Sequence, residues 1–128
     1  MKFTALLIVT VLLIAVPALV TAQSLDRRDV QALLQRCEVV NAGDAVGLVS
    51  EAYCVGIVEG VKAVMSAHCD LLRSGLAGNA EFAADTGNVS TGAAIQAFEN
   101  WATANPQNWS LPQSEGVMLA MNEIFPCG

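Results

Sequence analysis

The sequence predicts an all-α fold, a small bundle of about four helices braced by two disulfides. Three observations lead there. Apolar residues recur at the three-and-four spacing of a helix face in four separate runs, no run alternates as a strand would, and four cysteines lie in a chain of 128 residues with an export leader.

The leader comes first. Met1 and Lys2 precede an uncharged apolar run from Phe3 to Val20, and Val20-Thr21-Ala22 makes a small-x-small exit before Gln23 and Ser24. A basic start, an apolar stretch and such an exit are the three regions of a signal peptide. Residues 1–22 are therefore expected to be cleaved and residues 23–128 to form a single helical domain. A retained anchor is the competing reading, since the run is at the lower limit for crossing a bilayer core of about 30 Å, but Pro17 and the Thr-Ala exit favour cleavage.

The first helix follows Asp26 as cap, with Val30, Leu33, Leu34, Cys37 and Val40 on one face. Asn41-Ala42-Gly43-Asp44 has turn chemistry, and a longer helix runs from about Val46 to Leu72. Its apolar positions Tyr53, Ile57, Val61, Val64 and Met65 are interrupted by Glu51, Glu59 and Lys62, so it reads as amphipathic and not membrane-spanning. Gly56 and Gly60 lie on one side of it. At about 1 kcal/mol each of helix propensity lost relative to alanine, they are expected to admit a closely packed neighbour.

From Ser74 to Asn88 the composition turns to Gly, Ala, Asn, Asp and Thr, with Leu76 and Phe82 as the large apolar anchors of a long loop. A third helix starts at Ser90, turns Ile95, Phe98, Trp101 and Ala102 inward, and stops at Asn105-Pro106. After a short link carrying Trp109, Leu111-Pro112 opens the last helix with Glu115 near its positive dipole end. Val117, Met118, Met121, Ile124 and Phe125 form its stripe, and Pro126 ends it.

Four cysteines allow three pairings. On one continuous helix Cys54 and Cys69 would stand about 22 Å apart, far beyond the roughly 7 Å between α-carbons that a disulfide tolerates. In a hairpin turning at Asn41 to Asp44, Cys37 lies level with Cys54, which leaves Cys69 for Cys127.

Chemistry is hard to place in this chain. The single histidine, His68, adjoins Cys69, and neighbours on a helix point about 100° apart, so the two make a poor catalytic dyad. No Cys-x-x-Cys pair or phosphate loop is present, so no catalytic residue, metal site or cofactor is assigned. Nucleic acid is excluded as a partner on charge. No Lys or Arg follows Arg73, whereas Glu81, Asp85, Glu99, Glu115 and Glu123 do, and phosphate binding needs clustered bases.

The run from Glu51 through Cys54, Gly56 and Gly60 to Val61, the Val89-Ser90 helix start, Ala104-Asn105-Pro106, Leu111-Pro112 and the terminal Phe125-Pro126-Cys127 together resemble the Rap/Tai immunity proteins. These are periplasmic proteins of bacterial type VI secretion that neutralise peptidoglycan amidase toxins. The resemblance implies an all-helical domain, commonly a homodimer, that plugs the active-site cleft of a cognate amidase toxin. It implies no membrane partner after signal cleavage. The sequence departs from the family at one step, a Phe-Cys-x-Pro before the third helix, where Phe82 is followed by Ala83 and the cysteine lies upstream at Cys69. That departure leaves the Cys69–Cys127 bridge open and implies a loop of different shape.

Loop length and polarity single out Glu81, Asp85 and Asn88 as candidate partner-binding residues. Two other readings compete: a periplasmic acid-stress chaperone that exposes apolar surface when its carboxylates protonate, and a structural envelope domain without a toxin partner.

Overall fold

The computed structural model describes residues 27–38, 43–76 and 80–128. Four helices account for most of them: α1 (Val30–Glu38), α2 (Ala45–Arg73), α3 (Thr91–Ala104) and α4 (Gln113–Ile124), with a 3-10 turn at Pro106–Asn108. The expected leader, together with Asp26 and Val40, lies outside the described residues.

Local chemistry sets most helix ends. Asp29 caps α1, its Oδ1 accepting from the Ala32 amide at 2.9 Å. Asp44 caps α2 through the Gly47 amide at 2.8 Å, and Ser90 caps α3 through the Ala93 amide at 3.2 Å. At the far end of α2, the Leu76 amide donates to the Leu71 carbonyl and the Gly75 amide to the Leu72 carbonyl. That pair of bonds is a Schellman motif, and it needs Gly75 at φ +73°. Ser90 is thus the cap of α3 and not its first turn.

Every pair among the four helices is in contact. Phe98, Leu33, Met65, Met121, Val30, Val58 and Val117 fill the centre with less than 2% of their surface exposed. α1 is held to the start of α4 by backbone bonds, the Val30 amide to the Leu111 carbonyl and the Gln113 amide to the Arg28 carbonyl, both at 3.0 Å. Trp109, on the link between α3 and α4, donates its indole N–H to the Ala102 carbonyl at 2.8 Å.

Both disulfides form as geometry required. Cys37 bonds Cys54 with α-carbons 5.2 Å apart, clamping α1 to α2. Cys69 bonds Cys127 at 5.6 Å, tying α2 to the segment beyond α4, so the second bridge, left open by the sequence, is formed.

Four expectations about faces are corrected. Val64 is 67% exposed and Ile124 is 41% exposed, although both fall on the apolar stripes read from the sequence. Leu76 and Phe82, the expected loop anchors, face solvent. Gly56 and Gly60 are exposed too, and a methyl group built on either meets no atom of this chain within 4 Å. α2 is longer than its partners, and α1, α3 and α4 cover one side of it only.

Candidate protein-binding site

The segment from Ala80 to Ser90, joining α2 to α3, is irregular yet pinned at almost every step. The Ala84 amide donates to the Met65 carbonyl of α2 at 3.2 Å, and the Asp85 amide donates to the Phe125 carbonyl beyond α4 at 2.8 Å. Asn122 of α4 donates its side-chain amide to the Ala83 and Ala80 carbonyls at 2.9 and 3.3 Å. Thr86 is fully buried, and its hydroxyl donates to the Lys62 carbonyl at 2.9 Å. A buried hydroxyl without a partner would be costly, so that bond fixes where the segment crosses α2.

The anchors are small residues. Ala83 and Ala84 are fully buried between α2 and α4, and the adjoining Phe82 is thereby turned outward, 46% exposed. Glu81 and Asn88 are exposed beside it.

Asp85 is also at the surface, but its carboxylate is already engaged. Arg73 Nη2 donates to Asp85 Oδ2 at 2.6 Å, and Arg73 Nε donates to the Gly128 carbonyl at 3.4 Å. The guanidinium holds the Asp85 carboxyl below the usual carboxylate range, and Asp85 in turn raises Arg73. The end of α2, the linking segment and the C-terminus are thus tied by one ion pair and one disulfide.

Of the three residues predicted to meet a partner, Glu81 and Asn88 project from this braced segment, while Asp85 acts within the chain as a strut. Phe82 and Leu76, 46% and 78% exposed, add apolar surface that sequence reasoning had placed inside. The Ala83-Ala84 pair was the available clue, since two small residues in a row suit a tight crossing and push the larger neighbour out. His68 adjoins a cysteine whose sulfur is bonded to Cys127, so the pair holds no thiol.

Chemically, this is an irregular edge, ordered by its own hydrogen bonds, that presents both polar and apolar side chains.

A family model described as Rap1a immunity proteins matches residues 29–127, from the cap of α1 to the second cysteine of the C-terminal bridge. No curated protein and no solved structure matches the chain.

Proposed function

This chain belongs to the Rap1a immunity protein family, which implies immunity against a toxin, and from that premise we propose that it binds and occludes a peptidoglycan amidase toxin of a type VI secretion system in the periplasm. The family match across all four helices carries this reading. The signal peptide proposed for residues 1–22 supports the location, as do two disulfides, which persist in oxidising compartments.

The protein acts by occlusion and needs no catalysis of its own. A cleft-plugging contact of about 800 Å² per partner suffices for a stable complex, provided little is lost in ordering the loop that enters it. The hydrogen bonds from Ala84, Asp85, Thr86 and Asn122 order that loop beforehand. Glu81 and Asn88 make polar contacts with the toxin, Phe82 adds apolar area, and Asp85 holds the segment in place. The homodimer implied by the family resemblance is part of the same reading.

Co-expression tests the function. The amidase-like product of the neighbouring gene, directed to the periplasm, should lyse cells alone and spare them when this chain is present, and the two should co-purify. A neighbouring product without wall-degrading activity, or one that this chain neither binds nor neutralises, would remove the amidase reading. Replacing Glu81, Asp85 and Asn88 together by alanine should weaken toxin binding by about tenfold or more. Unchanged affinity would remove the loop from the interface.

A further inference from the structure

We propose that Asn122 is a positioning residue for partner recognition: from α4 it fixes the turn at residues 80–83 so that Phe82 stands at the tip as the apolar anchor of the interface. The inference rests on the reading that this segment meets the toxin. It adds to that site a residue from another element, and it names the kind of recess the partner must offer.

The turn is closed by the Ala83 amide, which donates to the Ala80 carbonyl at 3.1 Å. Glu81 and Phe82 are its two central residues, and both are exposed. One backbone bond leaves a surface turn free to change type. Asn122 supplies the further restraint, since its side-chain amide donates to the carbonyls at both ends of the turn, Ala83 at 2.9 Å and Ala80 at 3.3 Å. The residue type fits the task. An asparagine amide carries two N–H donors and no charge, so it serves two carbonyls at once, whereas an ionised aspartate could only accept. α4 is a firm base for those donors, because Val117, Ala120 and Met121 on its inner side are fully buried. The bonds from the Ala84 amide to Met65 and from the Asp85 amide to Phe125 act further on. They place the chain that leaves the turn, while Asn122 acts on the turn from which Phe82 projects.

Phe82 is 46% exposed although the two residues after it, Ala83 and Ala84, are fully buried. An aromatic ring has few torsions to fix, so on an ordered tip it loses little freedom when a partner covers it. The partner that fits presents an apolar recess wide enough for a phenyl ring. Affinity then depends on how often the ring is presented, because the apparent dissociation constant is the intrinsic one divided by the competent fraction. A turn released from Asn122 that presents Phe82 about a tenth of the time binds about tenfold more weakly.

The test is a double-mutant cycle on the exported, oxidised chain, with the amidase-like product of the neighbouring gene as the probe. Asn122→Leu removes both donors in a similar branched shape, and leucine is the better helix former, so the bundle is retained and circular dichroism verifies it. Affinity should fall about tenfold in this variant, and by about tenfold or more in Phe82→Ala. If Asn122 acts by presenting the ring, Asn122→Leu costs almost nothing further once Phe82 is alanine. A merely structural role gives the same loss in both backgrounds. Hydrogen exchange adds a readout that needs no partner: the Ala83 amide should exchange faster in Asn122→Leu, with protection along α2 unchanged. Unaltered affinity of Asn122→Leu overturns the inference, as do equal losses in both backgrounds or an Ala83 amide that exchanges no faster. Each of these leaves the toxin reading standing. A native chain that the probe does not engage removes that reading instead, and exchange at Ala83 then decides alone whether Asn122 sets the turn.

Discussion

Gly116 shows how much one missing methyl group decides at the crossing of α1 and α4. A Cβ there would overlap Cγ2 of Val30, a β-branched side chain with little rotameric freedom to retreat. Overpacking of this kind costs about 1–3 kcal/mol, against about 1 kcal/mol gained in helix propensity. Gly116→Ala should therefore be net destabilising and lower the thermal midpoint. Gly60→Ala, whose methyl meets nothing in the monomer, should raise it, and thermal melts of both at low protein concentration check the contrast. Asp85 gives the corresponding statement for charge. Its folded pKa is depressed by Arg73, so the stabilisation it contributes is present above the ordinary aspartate range and is lost as pH falls through the folded value. Glu99 runs the other way. Burial and the nearby Glu38 raise its pKa, so its contribution is present below the ordinary glutamate range and is lost as pH rises through the folded value. Asp85→Asn should thus lower stability at neutral pH and match the native chain in strong acid. Urea unfolding at the two pH values tests this, and added salt should shrink the neutral-pH difference because the pair is exposed.

At the level of elements, what the sequence made legible was whatever depends on neighbours along the chain. Ser90, Asn105-Pro106 and Leu111-Pro112 mark the bounds of α3 and α4 because caps and prolines act locally. The cysteine pairing was legible for a similar reason, since a continuous helix fixes the distance from Cys54 to Cys69 without any knowledge of tertiary packing. Exposure was not legible in this way. Periodicity gives the angle at which Val64, Ile124 or Gly60 leaves its helix, but not whether another helix lies in that direction. The long link between α2 and α3 was legible as a position in the chain, while the surroundings of Phe82 and Asp85 within it depended on where α4 and the C-terminus return. The bridges themselves predict a ranking. They close loops of sequence separation 17 and 58, which on the chain-entropy model stabilise by about 3 and about 4 kcal/mol. Replacing Cys69 and Cys127 by alanine should therefore cost more than replacing Cys37 and Cys54. Denaturant midpoints of the two double variants would show the order, and the reverse order would mean that native contacts, not loop length, set the worth of each bridge.

At the scale of the whole molecule, the distribution of charge predicts how the proposed complex responds to salt. The chain carries a net charge of −6, and beyond Arg73 it holds five carboxylate side chains and no base. A field of one sign steers a basic partner and accelerates encounter, and it is screened once the Debye length falls from about 10 Å at 0.1 M to about 3 Å at 1 M. Association of a basic toxin through the Ala80 to Ser90 segment should therefore slow with ionic strength, with little change in dissociation, as stopped-flow mixing would record. Association rates that do not change with salt would mean that the acidic half of the chain plays no part in the encounter.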